Sequence, residues 1–148
     1  MQAAGGSRKA FVMFRVRRIE HIAIAVDDID AALGKYRQVL GLEVAEREYV
    51  AAQKTEAALL PLGASNLELI APKGNESLAG FLERRGPGLH HIAVEVDDIE
   101  AALAFLKSIG VRLVDESSRT GARGYKVAFL HPSATGGVLV ELVEKVEA

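Results

Sequence analysis

The sequence predicts an α+β fold made of two tandem βαβββ units, and two observations carry that prediction. HIAIAVDDIDAAL begins at His21 and recurs as HIAVEVDDIEAAL at His91, with ten of thirteen positions identical at an offset of 70. Each copy also ends in an apolar run that contains a glutamate, NLELIAP around Glu68 and VLVELVE around Glu141. A repeat this long indicates two copies of one supersecondary unit.

Each repeat begins as a strand and continues as a helix. The strand alternates, with branched apolar residues on one face and His21 followed by two alanines on the other. Asp28 is predicted to cap the first helix and Gly41 to end it. In the second copy Asp98 and Gly110 hold the equivalent positions. The branched face of each strand is therefore expected to pack under its helix.

Three further strands are predicted in each unit from their β-branched and apolar runs. They are expected at residues 42–50, 54–62 and 65–71, and at 111–115, 125–131 and 137–146. A short helix is expected near 77–85, before Gly86-Pro87-Gly88. The expected divisions are an N-terminal lead (1–17), a first unit (18–76), a linker helix (77–87) and a second unit (88–148), all one domain through a shared site.

Composition narrows the classes of partner. The 148 residues are 49% apolar and 26% charged, which is enough to bury a core, and the net charge is −2. This balance gives no reason to expect nucleic acid or a membrane surface as a partner. Cysteine is absent from the sequence, so a metal would have to be bound by His and carboxylate. A cytosolic or matrix compartment is compatible with this composition, and we expect the cytoplasm.

Four polar side chains are expected to share one face of the two units. Strand alternation places Glu68 with His21 and Glu141 with His91. A single strand histidine is usually structural, but its repetition at the same place in both units favours a ligand role. Two units joined about a pseudo-twofold axis would bring four N/O ligands together, a set suited to Zn, Co, Ni, Mn or Fe(II). The sequence therefore predicts a divalent metal site.

Other polar residues have weaker signals. Glu48 lies on the predicted second strand, where an exposed charge is the ordinary interpretation and a catalytic base is the alternative. Arg123 and Lys126 lie in the basic segment SSRTGARGYK, which could bind a phosphate-bearing ligand or form a mobile hairpin. His90 and His131 are interpreted as structural or peripheral.

The duplicated HIAIAVDDI and HHIAVEVDDI, the linker FLERRGPGLHH and the ending FLHPSATGGVLVELV resemble the methylmalonyl-CoA epimerases of the vicinal oxygen chelate superfamily, over residues 18–144. The resemblance implies an open barrel around a divalent metal, a CoA thioester substrate and a homodimer. It places the metal ligands at His21, Glu68, His91 and Glu141, and the acid/base carboxylates at Glu48 and Glu141.

The reaction implied by the resemblance is epimerisation of methylmalonyl-CoA at C2, by two-base proton transfer through a metal-stabilised enolate. Coordination would weaken Glu141 as a base, so its double role is a hypothesis. Two alternatives on the same fold are a glyoxalase I type lyase acting on a glutathione hemithioacetal and a non-catalytic ligand-sequestering protein. An extradiol dioxygenase is disfavoured, because a fourth protein ligand would fill a position that its chemistry needs open.

Overall fold

A computed structural model of the chain describes residues 14–147. Over this range eight strands form one sheet in the order β2-β3-β4-β1-β5-β8-β7-β6. The strands are β1 (Val16–Ala25), β2 (Glu46–Val50), β3 (Thr55–Leu62), β4 (Ser65–Pro72), β5 (Gly88–Val96), β6 (Arg119–Thr120), β7 (Lys126–Phe129) and β8 (Val140–Glu144). The helices are α1 (Ile29–Leu40), α2 (Glu76–Arg85) and α3 (Ile99–Ser108). Within the described range, none of these helices has the length and apolar character needed to cross a membrane.

The sheet has the symmetry that the repeat predicts. β1 and β5, which carry the repeated motif, pair antiparallel at its centre. β4 pairs parallel with β1, and β8 pairs parallel with β5. The outer strands are added as antiparallel neighbours on each side. Two βαβββ units thus lie side by side in a curled half-barrel, which confirms the predicted fold class.

The helix caps lie where the repeat places them. The Asp28 side chain accepts a hydrogen bond from the Ala31 N–H, and Asp98 does the same for Ala101. Gly41 ends α1 with a φ of 70°, in the left-handed region that glycine adopts without strain. The C-cap of α3 is Ile109, one residue before the predicted Gly110. Each cap typically contributes about 1 kcal/mol to stability.

α1 and α3 cover one face of the sheet, with an apolar cluster beneath each, whereas Leu78 of α2 packs with Ala23 and Ile70 on the opposite face. Ile29 of α1 packs with Leu60 and Leu69. Ile99 of α3 packs with Leu142 in the second unit. Burying the branched faces in this way leaves the opposite, concave face for the polar residues of the repeat.

One predicted strand is wrong and several are shorter than expected. Residues 111–115 form no strand, and their sheet pairing is limited to an isolated bridge between Leu113 and Leu130. The Asp115 carboxylate accepts the Phe129 N–H, so a side chain takes a bond that a strand partner would otherwise make. The edge strand of the second unit is instead β6. The repeat offset of 70 residues makes β6 the counterpart of the last two residues of β2. Of the expected N-terminal lead, residues 1–13 lie outside the described range.

Candidate metal centre

The two repeat histidines lie close together where β1 and β5 pair. His21 of β1 pairs in register with Ala93 of β5, and His91 pairs with Ala23. The flanking alanines are fully buried and leave room for two imidazoles on the concave face. The Nε2 atoms of His21 and His91 lie 3.3 Å apart.

The strands β4 and β8, which pair parallel with the central strands, bring the two predicted carboxylates to the same place. Glu68 of β4 is in register with Ala23, and Glu141 of β8 is in register with Ala93. Glu141 Oε1 lies 3.2 Å from His21 Nε2 and 3.1 Å from His91 Nε2. Glu68 Oε1 lies 3.4 Å from His21 Nε2. The structure therefore brings together all four side chains that the sequence predicted as ligands.

The donor atoms fit a divalent cation. Bonds of about 2.0–2.2 Å place neighbouring ligand atoms about 2.8–3.6 Å apart in tetrahedral or octahedral geometry, and the separations here are 3.1–3.4 Å. His21, His91 and Glu141 form the tightest group, with ligand atoms within 4.8 Å of one another. Glu68 contacts this group at His21, where its Oε1 lies 3.4 Å from Nε2. These nitrogen and oxygen donors could hold a divalent metal ion.

The residue before each repeat histidine contacts that histidine. Glu20 in β1 and His90 in β5 are both skipped by the strand register, so each is the extra residue of a β-bulge. A bulge re-aims a side chain that regular alternation would send to the other face. Glu20 Oε1 lies 2.5 Å from His21 Nδ1, and His90 Nδ1 lies 2.8 Å from His91 Nδ1.

Both contacts were missed by sequence reasoning. His90 was expected to be structural or peripheral. The bulge redirects its side chain, which lies beside His91 on the wall of the cavity described below. Glu20 lies one residue before the repeated segment, so the repeat assigns it no role. The signal that could have found it is positional, since Glu20 precedes His21 as His90 precedes His91.

The charged side chains of the cluster shift one another's pKa values. Burial alone would lower the pKa of His21, but the charge of Glu68 and hydrogen bonds to Glu141 and Glu20 outweigh it and raise the pKa to about 10. Burial would raise the pKa of Glu141, yet hydrogen bonds from the two histidines hold it well below its usual range. Burial raises the pKa of Glu68. Without a cation, the cluster therefore retains a proton on His21 at neutral pH.

His90 differs from His21 in its charge state. Burial, followed by the neighbouring His91, lowers the pKa of His90 to about 4. Its ring also stacks edge-on against Phe81, with centroids 4.8 Å apart. His90 is therefore uncharged at neutral pH.

Of the other predicted site residues, Glu48 and Arg123 lie at the edge of this cluster. Glu48 lies on β2, exposed, and its Oε1 accepts the Arg123 N–H at 2.9 Å. Together with Glu68 these residues line one small hollow. The Arg123 guanidinium makes two hydrogen bonds of 3.1 Å to Glu20. Lys126 is exposed at the start of β7 and shares the face of that strand with Ala128, under α3, so the structure does not bring it to the cluster. Contacts of Arg123 and Lys126 with a substrate stay predictions.

A cavity of about 650 Å³ opens over the cluster of predicted metal ligands. His91, Glu68 and Glu141 lie on its wall, while residues 52–55 and the N-terminal end of α2 form other parts of its lining. Its size is within the usual range for a small-molecule site. A ligand in this cavity would have direct access to the carboxylates and to a cation bound by them.

Comparison with known proteins agrees with this geometry. Residues 20–129 match the family model of the Glyoxalase/Bleomycin resistance protein/Dioxygenase superfamily. The chain therefore belongs to that superfamily.

Three relatives define its place within the superfamily. The mitochondrial methylmalonyl-CoA epimerase of Bos taurus is 40% identical over 132 residues, 88% of this chain and 75% of the bovine protein. The crystal structure of methylmalonyl-CoA epimerase from Mycobacterium tuberculosis is 39% identical, with a TM-score of 0.84 over 89% of this chain and 90% of that one. A methylmalonyl-CoA epimerase solved with methylmalonyl-CoA and NH4+ is 36% identical, with a TM-score of 0.85 over 89% and 96%. Within the superfamily, the chain belongs to the methylmalonyl-CoA epimerase family.

Proposed function

We propose that this protein catalyses the epimerisation of methylmalonyl-CoA at C2. The observation that carries the proposal is the convergence of His21, His91 and Glu141 at 3.1–3.3 Å, with Glu68 beside them, on the wall of a cavity large enough for a small-molecule ligand. The relative solved with methylmalonyl-CoA supports the assignment of a CoA thioester as the ligand.

The four clustered side chains are proposed to hold one divalent ion of Co, Zn, Mn or Ni. Their nitrogen and oxygen atoms suit each of these ions. Glu68 would complete the set begun by the two histidines and Glu141. A bound cation supplies Lewis-acid stabilisation of the negative charge that develops on the thioester oxygen as the C2–H bond breaks.

Inversion at C2 requires groups on opposite sides of the carbon. We assign proton removal and return on one side to Glu48, and on the other to Glu141. The Arg123 backbone N–H donates to Oε1 of Glu48, and Oε2 is the oxygen to which we assign the proton. Positioned groups of this kind typically contribute about 10²- to 10⁴-fold in rate.

Glu141 has the harder of the two roles. Hydrogen bonds from His21 and His91 hold its pKa well below its usual range, despite burial. Such a carboxylate is a strong ligand and a weak base. A double role therefore requires that one oxygen stays with the cation while the other faces C2.

Recognition of the CoA portion is assigned to the exposed basic residue Lys126, with Arg123 as its predicted companion. Lys126 is free to reach a phosphate, since its side chain projects to solvent from the start of β7. The Arg123 guanidinium is already engaged by Glu20. A phosphate contact from Arg123 would have to compete with that ion pair.

The homodimer and the cytoplasmic location stay predictions of this proposal. Val16 and Leu89 are apolar residues of the central strands that are 58% and 71% exposed, and a partner could cover such side chains. Sedimentation of the purified protein tests the dimer. The bovine relative is mitochondrial, so cell fractionation is needed to test the location.

The activity is tested by offering the purified protein two substrates in parallel. The proposal predicts conversion of either methylmalonyl-CoA epimer into the mixture, with no turnover of methylglyoxal plus glutathione. Turnover of the glutathione hemithioacetal alone would establish the lyase alternative. Tight binding of methylmalonyl-CoA without conversion would establish a sequestering protein.

A further inference from the structure

We propose that Glu20 and Arg123 form a positioning pair that orients His21 toward the cation. The catalytic consequence rests on the proposed function, whereas the pair itself rests on the geometry of buried side chains outside the ligand set.

The Glu20 carboxylate accepts four hydrogen bonds from side chains. Its carboxylate accepts from His21 Nδ1 at 2.5 Å, from both terminal nitrogens of Arg123 at 3.1 Å, and from Asn66 Nδ2 at 3.2 Å. The side chain is only 1% exposed. A buried carboxylate with both oxygens doubly occupied has one available orientation, and that orientation directs Oε1 at the imidazole.

The consequence for His21 follows from the two nitrogens of its ring. When Nδ1–H donates to Glu20, the lone pair of the neutral imidazole lies on Nε2. That nitrogen faces His91 at 3.3 Å, Glu141 at 3.2 Å and Glu68 at 3.4 Å. A carboxylate behind a metal-binding histidine fixes both the tautomer and the ring orientation, and increases the basicity of the ligand nitrogen.

Arg123 joins this arrangement to the second carboxylate of the proposed reaction. Its φ is 60°, in the left-handed region that non-glycine residues adopt at a cost. In that conformation its backbone N–H donates to Glu48, while its guanidinium donates two hydrogen bonds to Glu20. The guanidinium also lies 4.8 Å from the Tyr125 ring. A glycine would satisfy the backbone, whereas the arginine side chain adds the ion pair with Glu20.

The second unit uses a different group at the same place. His90 contacts Nδ1 of His91 where Glu20 contacts Nδ1 of His21. The first unit thus presents a charged partner, anchored by an arginine from the other unit, and the second presents an imidazole. The positioning pair is consequently assigned to His21 alone.

Three variants test the pair. Glu20→Gln keeps the shape of the side chain and removes its charge. Arg123→Gly removes the guanidinium while keeping the left-handed backbone and the N–H that holds Glu48. Glu95→Gln is the matched control, since Glu95 is also a buried strand carboxylate near an arginine, 3.2 Å from Arg18 Nε, and lies beyond the ligand cluster.

Two measurements are made on each variant without substrate. Co²⁺ affinity is measured by competition with a chromophoric chelator, and the His21 Nδ1 proton is followed by NMR in Zn²⁺-loaded protein. Glu20→Gln is expected to weaken Co²⁺ binding by about 10- to 100-fold and to remove the downfield Nδ1 resonance. Arg123→Gly is expected to weaken Co²⁺ binding in the same direction, and Glu95→Gln to change it less than about twofold.

Wild-type Co²⁺ affinity in both Glu20→Gln and Arg123→Gly would overturn the inference. If Glu20→Gln does not fold, Arg123→Gly decides the question alone. A higher KM in Arg123→Gly with unchanged Co²⁺ affinity would also overturn it, because that result assigns the guanidinium to substrate. Failure of the wild type to epimerise methylmalonyl-CoA would refute the proposed function, but it would leave the metal-affinity result, and hence the pair, intact.

Discussion

Glu20 and His90 are related by the internal repeat: each is the bulged residue of a central strand, and each contacts Nδ1 of the histidine that follows it. The duplication therefore extends beyond the metal-binding residues to the groups behind them. The two halves differ in the charge they place there. This difference makes the site asymmetric.

Replacing His91 with Ala is expected to remove bound metal and activity together while leaving a folded chain. The loss of metal affinity should exceed about 100-fold, since loss of a group that merely supports a ligand costs about 10- to 100-fold. Metal analysis and circular dichroism of the purified variant measure both effects. His131→Ala is the control, because His131 caps a short 3₁₀ helix and bonds Ser133 instead of the cluster. Full metal stoichiometry in His91→Ala would refute the ligand assignment.

Glu48→Gln is expected to retain metal but to lose exchange of the C2 proton from one epimer. The amide cannot accept that proton, and the expected loss of rate is about 10²- to 10⁴-fold. Deuterium incorporation into each pure epimer in D₂O measures the effect. Glu46→Gln on the same strand serves as the control. Unchanged exchange from both epimers in Glu48→Gln would exclude Glu48 as a base.

Metal binding near pH 7.5 is expected to release about one proton per ion. The His21 pKa is raised from 6.5 to about 10, so the metal-free site carries a proton there at that pH. A cation binds the neutral imidazole, so its binding must displace the proton from His21. Calorimetry in two buffers of different ionisation enthalpy counts the proton, and the release should diminish as the pH approaches 10. A binding enthalpy independent of the buffer would contradict the charge state assigned to His21.

Lys126→Ala is expected to raise KM for the CoA thioester by up to about fivefold without changing kcat. An exposed charge contact contributes at most about 1 kcal/mol. Steady-state kinetics at two salt concentrations measure it, because salt should weaken the wild type toward the variant. Lys145→Ala, which removes an exposed charge near Glu95, is the comparison. An unchanged KM would make Lys126 a bystander.

The repeat made the fold and the four clustered residues predictable. Helical and strand periodicity assign Asp28 and Asp98 as caps, and alternation assigns His21, Glu68 and their counterparts to one face. Those rules depend on local spacing, which the sequence contains directly. The meeting of the two units is implied by symmetry.

Local periodicity fails where the backbone leaves its regular register. The bulges at Glu20 and His90 reverse the face that alternation assigns to them. Residues 111–115 have strand-like composition, but the Asp115 side chain bonds the backbone of β7. The ion pair between Glu20 and Arg123 joins residues 103 positions apart, and nothing in their local sequence indicates a partner.

The most direct test of the account is exchange of the C2 proton of methylmalonyl-CoA in D₂O, compared between protein stripped with a strong chelator and the same protein after Co²⁺ is restored. The account predicts that stripped protein exchanges at the uncatalysed rate and that stoichiometric Co²⁺ restores exchange from both epimers. Exchange that is indifferent to the chelator would contradict the central claim that His21, Glu68, His91 and Glu141 act by holding a cation.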